Sequence, residues 1–140
     1  MDITNRIMNG TFGDIWVNNI KYIDLKSFEA KATAEYEDVK LQGKLGKGRK
    51  YMGYEGAGSI VTHKVYSRGA RLMADAFKTG IMPDVKIISK LDDPAAFGAE
   101  RVVYSGVTFD EVTLAKFESG ALGEEELAFK FESYEFKDLV

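Results

Sequence analysis

The feature that most constrains this chain is an alternation of side-chain character with period two. In Phe28–Asp38, "FEAKATAEYED", Phe28, Ala30, Ala32, Ala34 and Tyr36 fall on one side of an extended chain. Glu29, Lys31, Thr33, Glu35 and Glu37 fall on the other. Ten residues of strict alternation, Phe28–Glu37, fit a strand and no amphipathic helix, because only a period of two separates these sets. The strand has a uniformly wet face, suited to solvent or to an aqueous channel, and an apolar face whose three alanines allow close approach of another element.

The same pattern recurs along the chain. "FGDIWVNNIKYI" places two short apolar runs around Asn18-Asn19, residues that tolerate the positive φ of a tight hairpin turn. "SIVTHKVYS", "DVKIISKL", "ERVVYSGVTF" and "ELAFKFES" predict further strands, with "DDPAAFGA" as the turn between the second and third. The apolar set of "VTFDEVTLAKF" shifts by one residue between Phe109 and Val112, which predicts a bulge near Asp110 or Glu111. A second shift separates "YEF" from the last strand. Helical spacing is confined to "SRGARLMADAFKTGIMP", where Leu72, Met73, Ala76 and Phe77 share a face. Ser67 is its candidate N-cap, with Gly80 and Pro83 marking the stop. Seven or eight strands and one helix predict a mainly β (α+β) fold, a barrel or sandwich with one flanking helix. The helix is expected to cap the alanine face of the long strand.

Between the first long strand and its successor lies "LQGKLGKGRKYMGYEGAGS", Leu41–Ser59, with six glycines and four basic residues against one acid. Its composition predicts a long projecting Gly/Lys-rich loop at about 41–58. As a phosphate loop it fails, since Arg49-Lys50 stands where Lys-Ser/Thr is needed and a strand follows. "GYEGAG" has the wrong order for a dinucleotide fingerprint. Lys44, Lys47, Arg49 and Lys50 beside Tyr51 and Tyr54 suit a single-stranded nucleic acid in kind, but the net charge of −3 opposes phosphate at long range. A contact surface for a protein partner is the better fit.

No other constellation assembles a reactive centre. Without cysteine there is no disulfide, thiolate metal site or thiol nucleophile. His63 is the single histidine and sits on a strand with no second ligand nearby in sequence. Asp92-Asp93 before Pro94 is turn chemistry. Glu124, Glu125 and Glu126 open the last strand as a solvated acidic edge. The expectation is a non-enzymatic protein with no cofactor and no metal. Its 140 residues fit one domain, 1–140, and no apolar run approaches the ~18 residues of a membrane helix, so no stable membrane association and synthesis in the cytosol are expected. Charge layout favours self-assembly over a small-ligand or peptide-binding barrel. The Leu41–Ser59 segment is basic, whereas Glu118–Asp138 carries seven acids against Lys130 and Lys137, and opposite patches on one chain suit head-to-tail contact.

In order and spacing, "IWVNNIKYIDLKSFEAKA", the Gly/Lys segment, "HKVYSRGARLMADAFKTGIMPDVKIISKLDD", "ERVVYSGVTFDEV" and "EEELAFKFESYEF" resemble the tail tube proteins of contractile phage tails. The PBSX-type (XkdM-like) group, also found in phage-tail-like bacteriocins, is the nearest in pattern, and the resemblance covers nearly the whole chain. It implies a tail-tube β-barrel or sandwich, six subunits per ring, and rings stacked as an inner tube. Implied partners are further copies of the chain, a tail sheath protein, and baseplate and tube-initiator proteins, with DNA as transient cargo of the lumen; the tube of a related contractile secretion system shares this architecture. It also implies that Lys44, Lys47, Arg49, Lys50, Tyr51 and Tyr54 contact neighbouring subunits, with Glu124, Glu125 and Glu126 as the acidic counter-surface. Glu29, Lys31, Glu35 and Glu37 become the lumen-facing set, and the mature location a virion tail or phage-tail-like particle.

Overall fold

A computed structural model describes residues 3–65, 68–112 and 114–139. Two short 3-10 turns, Thr4–Arg6 and Gly10–Phe12, lead into β1 (Gly13–Val17) and β2 (Ile20–Lys21). The expected hairpin joins them: Asn18 and Asn19 have φ of 50° and 69°, and Val17 pairs with Ile20. There follow β3 (Leu25–Val39), β4 (Gly48–His63), α1 (Arg68–Thr79), β5 (Val85–Leu91), β6 (Glu100–Phe109), β7 (Glu124–Phe131) and β8 (Ser133–Asp138). All pairings are antiparallel, in the order β2-β1-β5-β6-β7-β4-β3, with β8 attached to β6. The fold is mainly β, as the alternation predicts.

The sheet is strongly curled. Phe28 of β3 lies three strands from β6, roughly 14 Å along a flat sheet, yet its ring meets Tyr104 of β6 at 5.8 Å. Phe129 and Phe131 of β7 complete an aromatic seam with these two rings. Ile15, Ile60, Val85 and Ile87 fill the core around it. β7 shows why sequence pattern and packing agree here: Leu127, Phe129 and Phe131 alternate inward, while Glu126 and Lys130 stay exposed.

Two expectations change. No strand continues through Asp110; β6 ends at Phe109, and the bulge lies earlier, between the Val85–Val107 and Ile87–Tyr104 pairs, where Gly106 has φ of 65°. The inward parity switches there, from Val102 and Tyr104 to Val107 and Phe109. Glu132, the break between β7 and β8, donates its N–H to the Ser105 carbonyl at this bulge (3.1 Å). The helix likewise takes another role. Met73 and Ala76 are buried, with Met73 in the central core, and Gly80 closes the C-terminus at φ 78° by donating to Ala76. Phe77, however, is exposed, and so are Ala32 and Ala34, so α1 does not cap the alanine face. Ser67 and the side chain of Leu72 lie outside the described residues.

Candidate assembly surface

β3 and β4 form one long antiparallel hairpin, and only its base is part of the core. Phe28, Ala30 and Ile60 pack inward, but every β3 residue from Lys31 to Val39 is exposed. The outer half is therefore an arm with solvent on both faces. Most of the predicted loop belongs to it: Arg49, Lys50, Tyr51 and Tyr54 lie on β4, and only residues 40–47 stand outside the strands. The glycines explain the difference, because they serve strand packing. Opposite Phe131 and Phe129 in the β4–β7 register stand Gly56 and Gly58, and a Cβ at either would lie about 2.5 Å from the facing ring. Glycine leaves the slots those rings occupy.

Farther out, Gly53 has φ of 137° and marks a register shift after which Tyr36 pairs with Tyr51. Tyr36 and Tyr51 meet edge to face at 5.8 Å, and the Arg49 guanidinium lies 4.0 Å from the Tyr36 ring centre. These contacts hold the end of the arm without a core. Tyr54 ties its middle to the body, donating its hydroxyl to the Glu132 carbonyl (3.0 Å) and packing on Tyr134 of β8 at 5.7 Å. Lys44 and Lys47 sit in the tip, where Gly43 takes φ of 83°. The structure thus brings Tyr36, Arg49 and Tyr51 together and leaves Lys44 and Lys47 apart from them. Alternation alone assigned Tyr36 only to an apolar face; its part in the cluster is invisible until the register is known.

The wet face of β3 keeps its expected composition. Glu29, Lys31, Glu35 and Glu37 are all exposed. Lys31 pairs with Glu29 at 2.7 Å, and on the neighbouring strands Lys130 pairs with Glu55 at 2.9 Å. Hydrogen bonds and charge from these carboxylates raise both lysine pKa values. The ammonium groups of Lys31 and Lys130 are thus neutralised locally.

At the other end of the hairpin, Glu124, Glu125 and Glu126 do not form the expected common surface. Glu125 shares the inward parity of Leu127 and is 4% exposed, paired with Lys64 at 3.1 Å. Glu124 is bound by Lys26, whose hydrogen bond lowers its pKa; only Glu126 stands exposed and outward. Position on a strand, which alternates, overrides a run of three like charges. His63, exposed at the end of β4, faces Glu124 in register. Asp93 has the turn role expected of it, accepting from the Asn9 and Ala95 amides at 2.8 and 2.9 Å. Among the described residues no group of three or more His, Asp or Glu is placed to hold a metal. A groove of about 830 Å³ runs beside the base of β3, with Asp14, Lys26, Glu29, Lys90 and Glu100 in its walls next to Phe28 and Tyr104. It is open and charged, unlike the enclosed apolar chamber of a ligand barrel.

This fold, a curled antiparallel sheet with a long arm, is shared with chains of contractile particles. The structure is similar to a chain of the anti-feeding prophage tube-terminating cap, with a TM-score of 0.75 at 6% identity over 94% of this chain and 91% of that one. It is also similar to a chain of the sheath–tube complex of the extracellular contractile injection system PVC in its extended state, with a TM-score of 0.66 at 10% identity over 94% and 92% of the two chains. Sequence carries the assignment further. Residues 3–138 match the family model DUF2001, described as phage tail tube protein. The phage-like element PBSX protein XkdM of Bacillus subtilis (strain 168) is 32% identical over 131 residues, 91% of this chain and 88% of that protein. The chain belongs to the phage tail tube protein family.

Proposed function

We propose that this protein is the repeating subunit of the inner tube of a contractile phage tail or phage-tail-like particle, six copies closing each ring and rings stacking into a conduit. The observation that carries this reading is the arm, which is exposed along β3 from Lys31 to Val39 and whose β3 edge has no strand beyond it among the described residues. A bare two-stranded ribbon with a free edge gains from pairing with a neighbour, and a closed ring is the arrangement that leaves no edge. In such a ring the face bearing Ala32, Ala34 and Tyr36 packs on an adjacent copy. The face bearing Glu29, Lys31, Glu35 and Glu37 lines the lumen. Because Lys31 and Lys130 are held by carboxylates, that lining offers passing phosphates no free ammonium on either residue, and the exposed carboxylates of Glu35 and Glu37 repel them. The role is structural and needs no cofactor. Synthesis in the cytoplasm, sheath and baseplate or initiator proteins as partners, and DNA as transient cargo follow from this placement.

Ala32→Glu together with Ala34→Glu tests it. Both residues are exposed in the isolated chain, so the variant keeps the parent's melting temperature but loses rings and tubes in electron micrographs. Normal tubes from the double variant would remove this face from the interface.

A further inference from the structure

The arm's tip and the connection between β6 and β7 lie at opposite ends of the molecule and have complementary surfaces. The tip is a turn closed by the Lys44 amide on the Leu41 carbonyl (3.3 Å), with Leu45 fully exposed beside it and Leu41 also exposed. Residues 40–50 contain five cations and no acid. The β6–β7 connection, residues 110–123, is anchored at both ends: Asp110 donates to Ala128, and Lys64, just past β4, donates to Gly123. Within it, the Ala121 amide closes a turn on the Glu118 carbonyl (3.2 Å), with Gly120 at φ 79°. Phe117 and Leu122 flank this turn and are 92% and 89% exposed. Asp110, Glu111 and Glu118 stand with them against Lys116 alone. A connection of this length, without regular structure among its described residues and displaying large apolar side chains, is the kind of segment that serves contact.

These two surfaces cannot meet within one chain. β3 and β4 hold the tip away from the base of the hairpin by roughly 45–50 Å at about 3.3 Å per residue. We propose that the tip of one copy docks on the 110–123 turn of a second copy, Leu45 and Leu41 covering Phe117 and Leu122 while Lys44 and Lys47 face Glu118 and Glu111. This deepens the tube-subunit reading and rests on it. It places the tip's acceptor on this connection and not on Glu124–Glu126, two of which are already paired within their own chain. A contact between unlike patches is head to tail, and it repeats without closing when each step carries a translation along one axis, which is the symmetry a stack of rings requires.

Because the chain has no cysteine, the test is a cross-link. Copies carrying Leu45→Cys are mixed with copies carrying Phe117→Cys under assembly conditions, treated with a short bis-maleimide, and imaged in parallel by electron microscopy. The expected result is rings or tubes together with a mixed cross-link that exceeds either homodimer. That cross-link is lost when Lys44→Glu and Lys47→Glu are added to the first copy and regained when Glu111→Lys and Glu118→Lys are added to the second. Unchanged melting temperatures show that each variant folds. Rings or tubes without the mixed cross-link overturn the docking and leave the tube subunit standing. A mixed cross-link without rings or tubes supports the docking and contradicts the tube subunit. Neither product overturns both.

Discussion

Gly58 shows how much a single position can carry. A Cβ there would lie 2.3 Å from the Glu29 carbonyl oxygen and 2.5 Å from the Phe129 ring, and neither backbone nor a core ring yields easily. Gly58→Val should therefore lower stability by about 1–3 kcal/mol in denaturant unfolding. Gly10→Ala, with nothing within 4 Å, should be nearly silent, and equal midpoints for the two variants would contradict the slot. Lys64 and Glu125 give a second case. Lys64→Met leaves a buried carboxylate without its cation, and one of its oxygens already lacks a hydrogen-bond partner. The expected cost is about 1–3 kcal/mol, relieved when Glu125→Leu is added. Tyr104 sets an alkaline limit: burial raises its pKa above the ordinary phenol value, despite the Ser89 hydroxyl nearby. The unfolded chain then ionises first, so stability is intact below about pH 10 and falls as pH rises from there toward the raised value. A pH titration of thermal unfolding should show a shallower alkaline decline for Tyr104→Phe.

Among the elements, the arm departs furthest from local expectation. Its end is held by Tyr36, Tyr51 and Arg49, and Arg49→Ala should loosen it by about 0.5–1 kcal/mol. Amide exchange ought to quicken for Glu37 and Lys50 while the Ile60–Leu127 region stays protected; uniform exchange rates would show that the cluster does nothing. The inner strand was legible because Leu127, Phe129 and Phe131 alternate with polar residues. β4 was not, since six glycines among Leu41–Ser59 resemble a loop until Gly56 and Gly58 are seen opposite Phe131 and Phe129. Such slots depend on strand register, a non-local property. The β6 bulge illustrates a different gap: its parity switch at Gly106 was present in the sequence, but the apolar Val112 drew the assignment downstream. The buried Glu125 was legible from its parity with Leu127, and the run of three glutamates obscured it.

For the whole molecule, the curled body is self-sufficient and the arm is not. The body closes an aromatic seam across β3, β6 and β7, whereas the arm leaves a β edge, an alanine-tyrosine face and a cationic tip uncovered. Family membership was legible from the order and spacing of short segments, since these fix strand lengths and turns. The pairing of Glu124 was not legible, because its partner Lys26 is far away in sequence and meets it only in the fold. Negative-stain electron microscopy of the purified protein over a concentration series tests the central claim most directly. The account predicts six-fold rings that lengthen into hollow tubes as concentration rises. A monomer that stays dispersed across the whole series, with the arm folded and still uncovered, would contradict it.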